Sequence, residues 1–267
     1  MTYVSRISAA IATQMLVVNP FRLMSNMTQT RFTSTFFSLG QVLPTHRYWH
    51  SPHGGLYQQT MTQALKLLSG PQKSEVAEQS FFSTNGQDTF MAPAAYSANR
   101  HAWVHVFPEA CCHQSPNSTL RYFKWGVSRL ILESDPAPDF IPMFVHGTQL
   151  IMPEERSWPR WAPRIGNRIR VAIGEPVNVD RLFGEHRAAW KRLVEKGDPE
   201  LLKDSQEAVR LRIEVAKAVR DEIGKLRESM GLAPEEDETA ALAETWAKEP
   251  NMRKFKSPVD GSLINRH

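Results

Sequence analysis

Three short apolar runs, residues 102–107, 140–145 and 168–173, set the strongest constraint on what this chain folds into. Each stops at a turn former: Pro108 after the first, Gly147 soon after the second, and Gly174-Glu175-Pro176 after the third. In the third, Ile169, Val171 and Ile173 alternate with other residues, the period of a strand with two different faces. Between the first two runs lies a helical pattern over residues 120–134. Strand, helix and strand at that spacing predict a crossover unit, hence an α/β fold with a mixed, mostly parallel sheet flanked by helices.

On either side of this centre the pattern is helical or irregular. Met61, Ala64, Leu65 and Leu68 repeat at helical spacing, and Gly70-Pro71 ends the run. Residues 71–99 carry scattered Ser, Asn, Gly and Pro and read as a long surface loop. Further on, Asp198 is a helix cap, Pro199 suits a first turn, and Leu202, Val209, Ile213, Ala216, Ile223 and Leu226 form a stripe that Gly231 closes. A long C-terminal helix over 198–231 is expected, its mixed-sign polar face in solvent, followed by a mobile tail over 232–267.

The net charge of +4 hides an asymmetry. No Asp or Glu precedes Glu75, whereas Arg6, Arg22, Arg31, Arg47, Lys66 and Lys73 all lie in that stretch. Fourteen acids fall between Asp198 and Glu249. A cationic, rather apolar first quarter suits an anionic membrane surface. No Lys/Arg run or nucleic-acid module accompanies it, which argues against nucleic acid as the partner. No apolar run is long enough to span a bilayer, so peripheral, interfacial attachment is expected. Residues 1–31 form a basic, acid-free segment of targeting-like composition. The two cysteines, Cys111 and Cys112, are adjacent, which excludes a disulfide framework, and with His113 they lack the ligand count of a zinc site, so no metal is expected.

Four places carry candidate chemistry. Phe107-Pro108-Glu109 puts a carboxylate at the end of an apolar run, where Pro108 fixes the turn and Glu109 can accept hydrogen bonds from a hydroxyl or a cation; a plain surface turn is the alternative. Arg47 follows another apolar run and has the fork geometry for a phosphate, or is simply a solvated charge. Lys124 lies among Tyr122, Phe123 and Trp125, to touch lipid phosphate or to snorkel from a helix. Lastly, Arg156, Arg160, Arg164, Arg168 and Arg170 interleave with Trp158 and Trp161, and Pro159 and Pro163 forbid a regular helix. Such an extended basic and aromatic segment fits the water–lipid boundary, or stacks over the domain as a loop.

In order along the chain stand Phe36-Phe-Ser-Leu-Gly-Gln-Val-Leu-Pro-Thr-His-Arg47, Thr84-Asn-Gly-Gln-Asp-Thr-Phe90, Trp103-Val-His-Val-Phe-Pro-Glu109, Arg121-Tyr-Phe-Lys-Trp-Gly126, Arg129-Leu-Ile-Leu-Glu133, Ile141-Pro-Met143 and Gly174-Glu-Pro176. This series resembles the glycerol-phosphate and lysophospholipid acyltransferase family, and within it the fungal-type tafazzins. The resemblance covers roughly residues 32–182 and implies an acyltransferase-like domain over 32–197. It implies acyl transfer between phospholipids without coenzyme A or another cofactor, remodelling of cardiolipin from donors such as phosphatidylcholine, and a peripheral place on a mitochondrial membrane. By the same resemblance Arg47, Pro108 and Glu109 contact the glycerophosphate part of the substrate; Lys124 joins them as a candidate from its aromatic setting alone, with helix-surface packing as the alternative.

The family's catalytic base is the His of an HxxxxD motif, whose Asp orients the imidazole. Five positions after each histidine from His46 to His186 stand Ser51, Gly55, Gln58, Val106, Ala110, Ser118, Ile151 and Lys191, and none is acidic. No catalytic residue is therefore assigned, and weak or absent turnover is expected of the chain as it stands. A gene start that omits the motif and a natural non-catalytic paralogue both account for this; a substitute base such as His46 or His105 is the third explanation. Ala110 also replaces the Gly that follows Glu in the family. The competing readings are a non-catalytic, peripheral phospholipid-binding protein and an acyl-CoA-dependent lysophospholipid acyltransferase.

Overall fold

A computed structural model describes residues 43, 45, 54–69, 81–83, 89–91 and 102–265, and for 81–83 and 89–91 the backbone alone. It divides into two compact units, residues 1–108 with 129–138, and residues 109–128 with 139–267. The class is α/β, as the apolar pattern predicts. Among the described residues, however, every strand ladder is antiparallel, and the expected parallel crossover sheet is not among them.

In the first unit, helix α1 (Gln59–Leu68) buries Met61, Ala64 and Leu67. These pack with Leu43 and Leu130, and Val104 and Val106 lie against the cluster. Residues 102–107 have no regular structure and join no ladder, so the first predicted strand contributes side chains to a core rather than hydrogen bonds to a sheet. Strands β1 (Phe81–Ser83) and β2 (Thr89–Met91) form a small hairpin inside the stretch expected to be loop. Arg129 grips Glu133 one helical turn on through two bonds of 2.7 and 2.6 Å and donates to the carbonyl of Leu56 at 2.8 Å.

The second unit carries strand β3 (Cys112–Gln114), which pairs with β7 (Leu263–Asn265), itself the centre of a three-stranded sheet completed by β6 (Lys254–Lys256). Helix α2 (Gly126–Glu133) is shorter than the expected 120–134: residues 120–124 are not helical, and the carbonyls of Leu120 and Arg121 are taken by Arg220. Strands β4 (Met143–His146) and β5 (Arg170–Ile173) pair with Met143 opposite Ile173 and His146 opposite Arg170. Their connection holds only the short helix α3 (Thr148–Ile151) and then turns, so the chain doubles back instead of crossing over.

The C-terminal half is helical, in more pieces than the stripe suggests. Helix α4 (Val179–Glu195) buries Phe183, Trp190 and Leu193. Asp198 caps α5 (Pro199–Asp204) as expected, but the chain breaks at Ser205, whose side chain caps α6 (Gln206–Ser229). A residue that offers the backbone an oxygen starts a new helix more readily than it continues an old one. The expected mobile tail is instead built from two 3-10 turns, Glu238–Ala241 and Thr245–Lys248, and strands β6 and β7. Trp246, at its middle, is buried.

Candidate functional site

The second unit gathers its polar chemistry on residues 109–121, a turn, a three-residue strand and an irregular segment. Glu109 leaves the Pro108 turn, Ala110 takes a left-handed conformation with φ 55°, and the chain then enters β3. That geometry swings the Glu109 carboxylate to 2.8 Å from Nδ1 of His113, whose side chain is only 6% exposed. Burial disfavours the imidazolium of His113. The charge of Glu109 and the hydrogen bond it accepts outweigh that penalty, against an opposing push from Arg121, and the pKa ends above the ordinary value. The other ring nitrogen, Nε2, is buried without a hydrogen-bond partner.

After β3 the chain makes a knot of short bonds around Ser115. Its hydroxyl lies 2.6 Å from that of Thr119 and accepts from the N–H groups of Asn117 and Thr119. Ser118, at the tip, is the second non-glycine residue with positive φ, 53°. Its Oγ lies 3.1 Å from Nδ1 of His146 at the end of β4, and the side-chain amide of Gln149 donates to the same oxygen at 3.3 Å.

Helix α6 holds this segment from behind. Arg227 donates to the carbonyls of Ser118 at 2.8 Å and Asn117 at 2.9 Å, and Arg220 donates to those of Leu120 at 2.8 Å and Arg121 at 3.0 Å. Arg121 turns the other way and forms a bidentate pair with buried Glu249, at 2.8 and 2.6 Å, with its guanidinium 4.0 Å from the centre of the Trp246 ring. Ser257 adds a bond of 2.7 Å to Glu249. Arg121 therefore ties the C-terminal segment down.

The four residues singled out from the sequence fare differently. Arg47 lies outside the described residues. Pro108 forms the turn with Glu109, as expected. Glu109 spends its carboxylate on His113, a partner the sequence reading did not foresee. Lys124 is exposed and sits before α2 rather than on it, its ammonium 4.3 Å above the Tyr122 ring and hydrogen-bonded to the Tyr122 hydroxyl. Of the proposed substitute bases, His46 is undescribed, and His105 is half-buried between Trp103 and Phe107, where burial lowers its pKa.

The arginine and tryptophan segment has no regular structure between α3 and β5, in keeping with its prolines. Local hydrogen bonds fold it back on itself while Arg160, Arg168 and Arg170 stay exposed: the backbone N–H of Arg164 donates to Ile151, the guanidinium of Arg156 to the carbonyls of Pro153 and Arg160, and the amide of Asn167 to Leu150. Gln114 of β3 anchors its base through Met152 and Glu154. Its apolar side chains turn out, with Trp158 85%, Trp161 79% and Ile165 98% exposed. Among the described residues no helix is long and apolar enough to cross a membrane, and no group of three His, Cys, Asp or Glu side chains forms a metal-holding cluster.

No family model matches the chain. Against curated proteins, the chain is 32% identical over 256 residues to a tafazzin of Saccharomyces cerevisiae, a match that covers 90% of this chain and 65% of that protein. It is 26% identical over 149 residues to an N-acylphosphatidylethanolamine synthase of Arabidopsis thaliana, and 30% identical over 121 residues to a tafazzin of Drosophila melanogaster. The chain spans 40% and 30% of the length of these two. Along nearly its whole length the chain is similar to a tafazzin, about two thirds of whose length it spans, and these relatives support the tafazzin-like acyltransferase family.

Proposed function

We propose that this protein transfers acyl groups between phospholipids at a membrane surface, remodelling the chains of cardiolipin in the mitochondrion, and that it does so slowly. The observation that carries the reading is the 32% identity to a tafazzin across 90% of the chain, a span that includes the Glu109 turn and the Arg121–Gly126 segment. Glu109 and, less directly, Pro108 and Arg47 bind the polar part of the lipid, with Lys124 at the exposed edge. The outward Trp158, Trp161 and Ile165, with arginines on both sides and no acid from Arg156 to Glu175, suit a surface of anionic headgroups. Slowness follows from the chain itself, which contains no HxxxxD pair to take the proton of an acceptor hydroxyl.

A second reading is a peripheral phospholipid-binding protein without turnover. It is favoured by the bond between Glu109 and His113, which occupies the carboxylate that a substrate hydroxyl would use.

The test is an acyl-exchange assay with monolysocardiolipin and acyl-labelled phosphatidylcholine, run beside Glu109→Ala and with vesicle sedimentation. Slow transfer that the variant loses supports the first reading. Vesicle binding with no transfer supports the second. Transfer that requires added acyl-CoA would overturn both.

A further inference from the structure

A serine hydroxyl, an imidazole and an amide converge at Ser118, and the proposed acyl transfer does not use them. The hydroxyl of Ser118 is 3.1 Å from Nδ1 of His146. The amide of Gln149 donates to Ser118 Oγ at 3.3 Å, and the N–H of Gly147 donates to Gln149 Oε1 at 3.1 Å. That last bond settles which end of the Gln149 amide is the donor. In the Nε2–H tautomer of His146 the serine hydroxyl donates to the lone pair of Nδ1 while Oγ accepts from Gln149. This is the arrangement of a nucleophile with its general base, with the Gln149 amide holding the serine oxygen in place.

The backbone supports the reading. Ser118 holds φ 53°, a region costly for any residue with a Cβ, and it persists because the surroundings over-determine it. Arg227 clamps its carbonyl, the N–H of Ser118 donates to Ser115 at 3.2 Å, and Ser115 and Thr119 close the turn around it. On the other side, Gly147 has φ 102°, and a Cβ there would stand 2.2 Å from the carbonyl oxygen of Arg168, so His146 and Gln149 are joined by a residue that only glycine satisfies. Both Ser118 and His146 are half-buried, neither sealed in the core nor free in water.

The geometry points to Ser118 as the nucleophile of a ping-pong acyl transfer, with His146 as its base and Gln149 as the donor to its oxygen. The inference deepens the proposed function and rests on it for the identity of the substrate, a carboxylic ester of a phospholipid. Ser118 Oγ bonds to the ester carbonyl carbon while its proton passes to His146 Nδ1. The ester C–O bond then breaks, and the lysophospholipid oxygen leaves with that proton. An acceptor hydroxyl next attacks the acyl-serine, giving its proton to His146, and Ser118 departs and takes the proton back. One ester replaces another, and no oxidant, metal or coenzyme enters the balance.

A long-chain alkyl fluorophosphonate, which phosphonylates activated serines, tests this without any donor lipid. Full-length protein is labelled and the modified peptide identified by mass spectrometry. The expected result is a single adduct on Ser118, absent in Ser118→Ala and formed at least ~10-fold more slowly in His146→Gln. Ser118→Gly, which accommodates the positive φ, keeps the fold and also loses the adduct, separating chemistry from backbone strain. No adduct on Ser118 of the folded wild type, or equal labelling of His146→Gln, overturns the inference. Acyl exchange that survives in Ser118→Gly would also sink it while leaving the proposed function intact. An adduct on Ser118 in a protein that exchanges no acyl chains keeps the nucleophile and overturns the lipid assignment instead.

Discussion

Arg227, fully buried on the last turns of α6, donates from Nε to the carbonyl oxygen of Ser118 at 2.8 Å. The same guanidinium reaches the carbonyls of Asn117 and Ala233. Irregular backbone inside a protein has no ladder to satisfy its carbonyls, and one arginine here serves three of them.

Arg227→Met removes the three hydrogen bonds of a fully buried guanidinium and is expected to cost about 3 kcal/mol, about 1 kcal/mol for each bond. Urea unfolding followed by circular dichroism checks this. A loss under about 1 kcal/mol would mean that water enters and replaces the arginine.

Ala110 sits at φ 55° directly after Glu109. A left-handed alanine costs roughly 1–2 kcal/mol, and glycine gives back part of that gain through its more flexible unfolded chain. Ala110→Gly is expected to stabilise by about 0.5–1 kcal/mol, a rise in Tm of roughly 1–4 °C. A calorimetric scan that shows a fall in Tm would contradict the strain at this position.

The pair of Glu109 and His113 predicts a pH dependence with a definite sign. Folded His113 binds its proton more tightly than the unfolded chain does. Its contribution to stability is therefore complete below the ordinary value of 6.5 and fades as pH rises through the elevated folded value. In urea titrations from pH 5.5 upward, wild type should lose stability relative to His113→Gln as the solution turns alkaline. Parallel curves for the two proteins would show that the pair carries no proton linkage.

Glu249 is buried between Arg121 and Ser257. Glu249→Ala strands the Arg121 charge and is expected to destabilise by about 3–5 kcal/mol. The double variant Arg121→Met with Glu249→Leu should recover most of the loss, because an apolar pair tolerates the same burial. Equal destabilisation of single and double variants would point to packing as the cause.

Trp158 and Trp161 are expected to enter the lipid interface. Replacing both by Ser removes two large apolar side chains and should weaken binding to vesicles of anionic phospholipid by about 10-fold or more. Tryptophan emission that fails to shift blue when such vesicles are added would place this segment away from the bilayer.

How much of this was visible in the residues differs from element to element. The stripe of α6 and the cap at Asp198 were legible as local signals, but the break at Ser205, which makes two helices of the one expected, was not. The ladder of β3 was not, because its partner lies from Leu263 to Asn265 and no spacing rule reaches that far. Arg212, Arg220 and Arg227 read as part of a solvated face and are buried, since Arg220 and Arg227 serve carbonyls of a segment with no helix or sheet of its own and Arg212 serves the end of α5. The Phe-Pro-Glu turn was read correctly as a turn, while the bond from Glu109 to His113 depends on the left-handed Ala110, which side-chain types do not reveal. Ser118 and His146 stand 28 residues apart and meet only through the packing of the second unit.

The bonds that lock residues 118–121 reach to Glu235 and Glu249, so the segment is held by residues more than a hundred positions later. On a ribosome, which emits the chain from its amino end, the early segment emerges long before those carboxylates do. Its final shape therefore waits until Glu249 has been made. Until then Arg121 is an unpaired cation on a nascent chain, open to the chaperones and proteases that survey unfinished proteins.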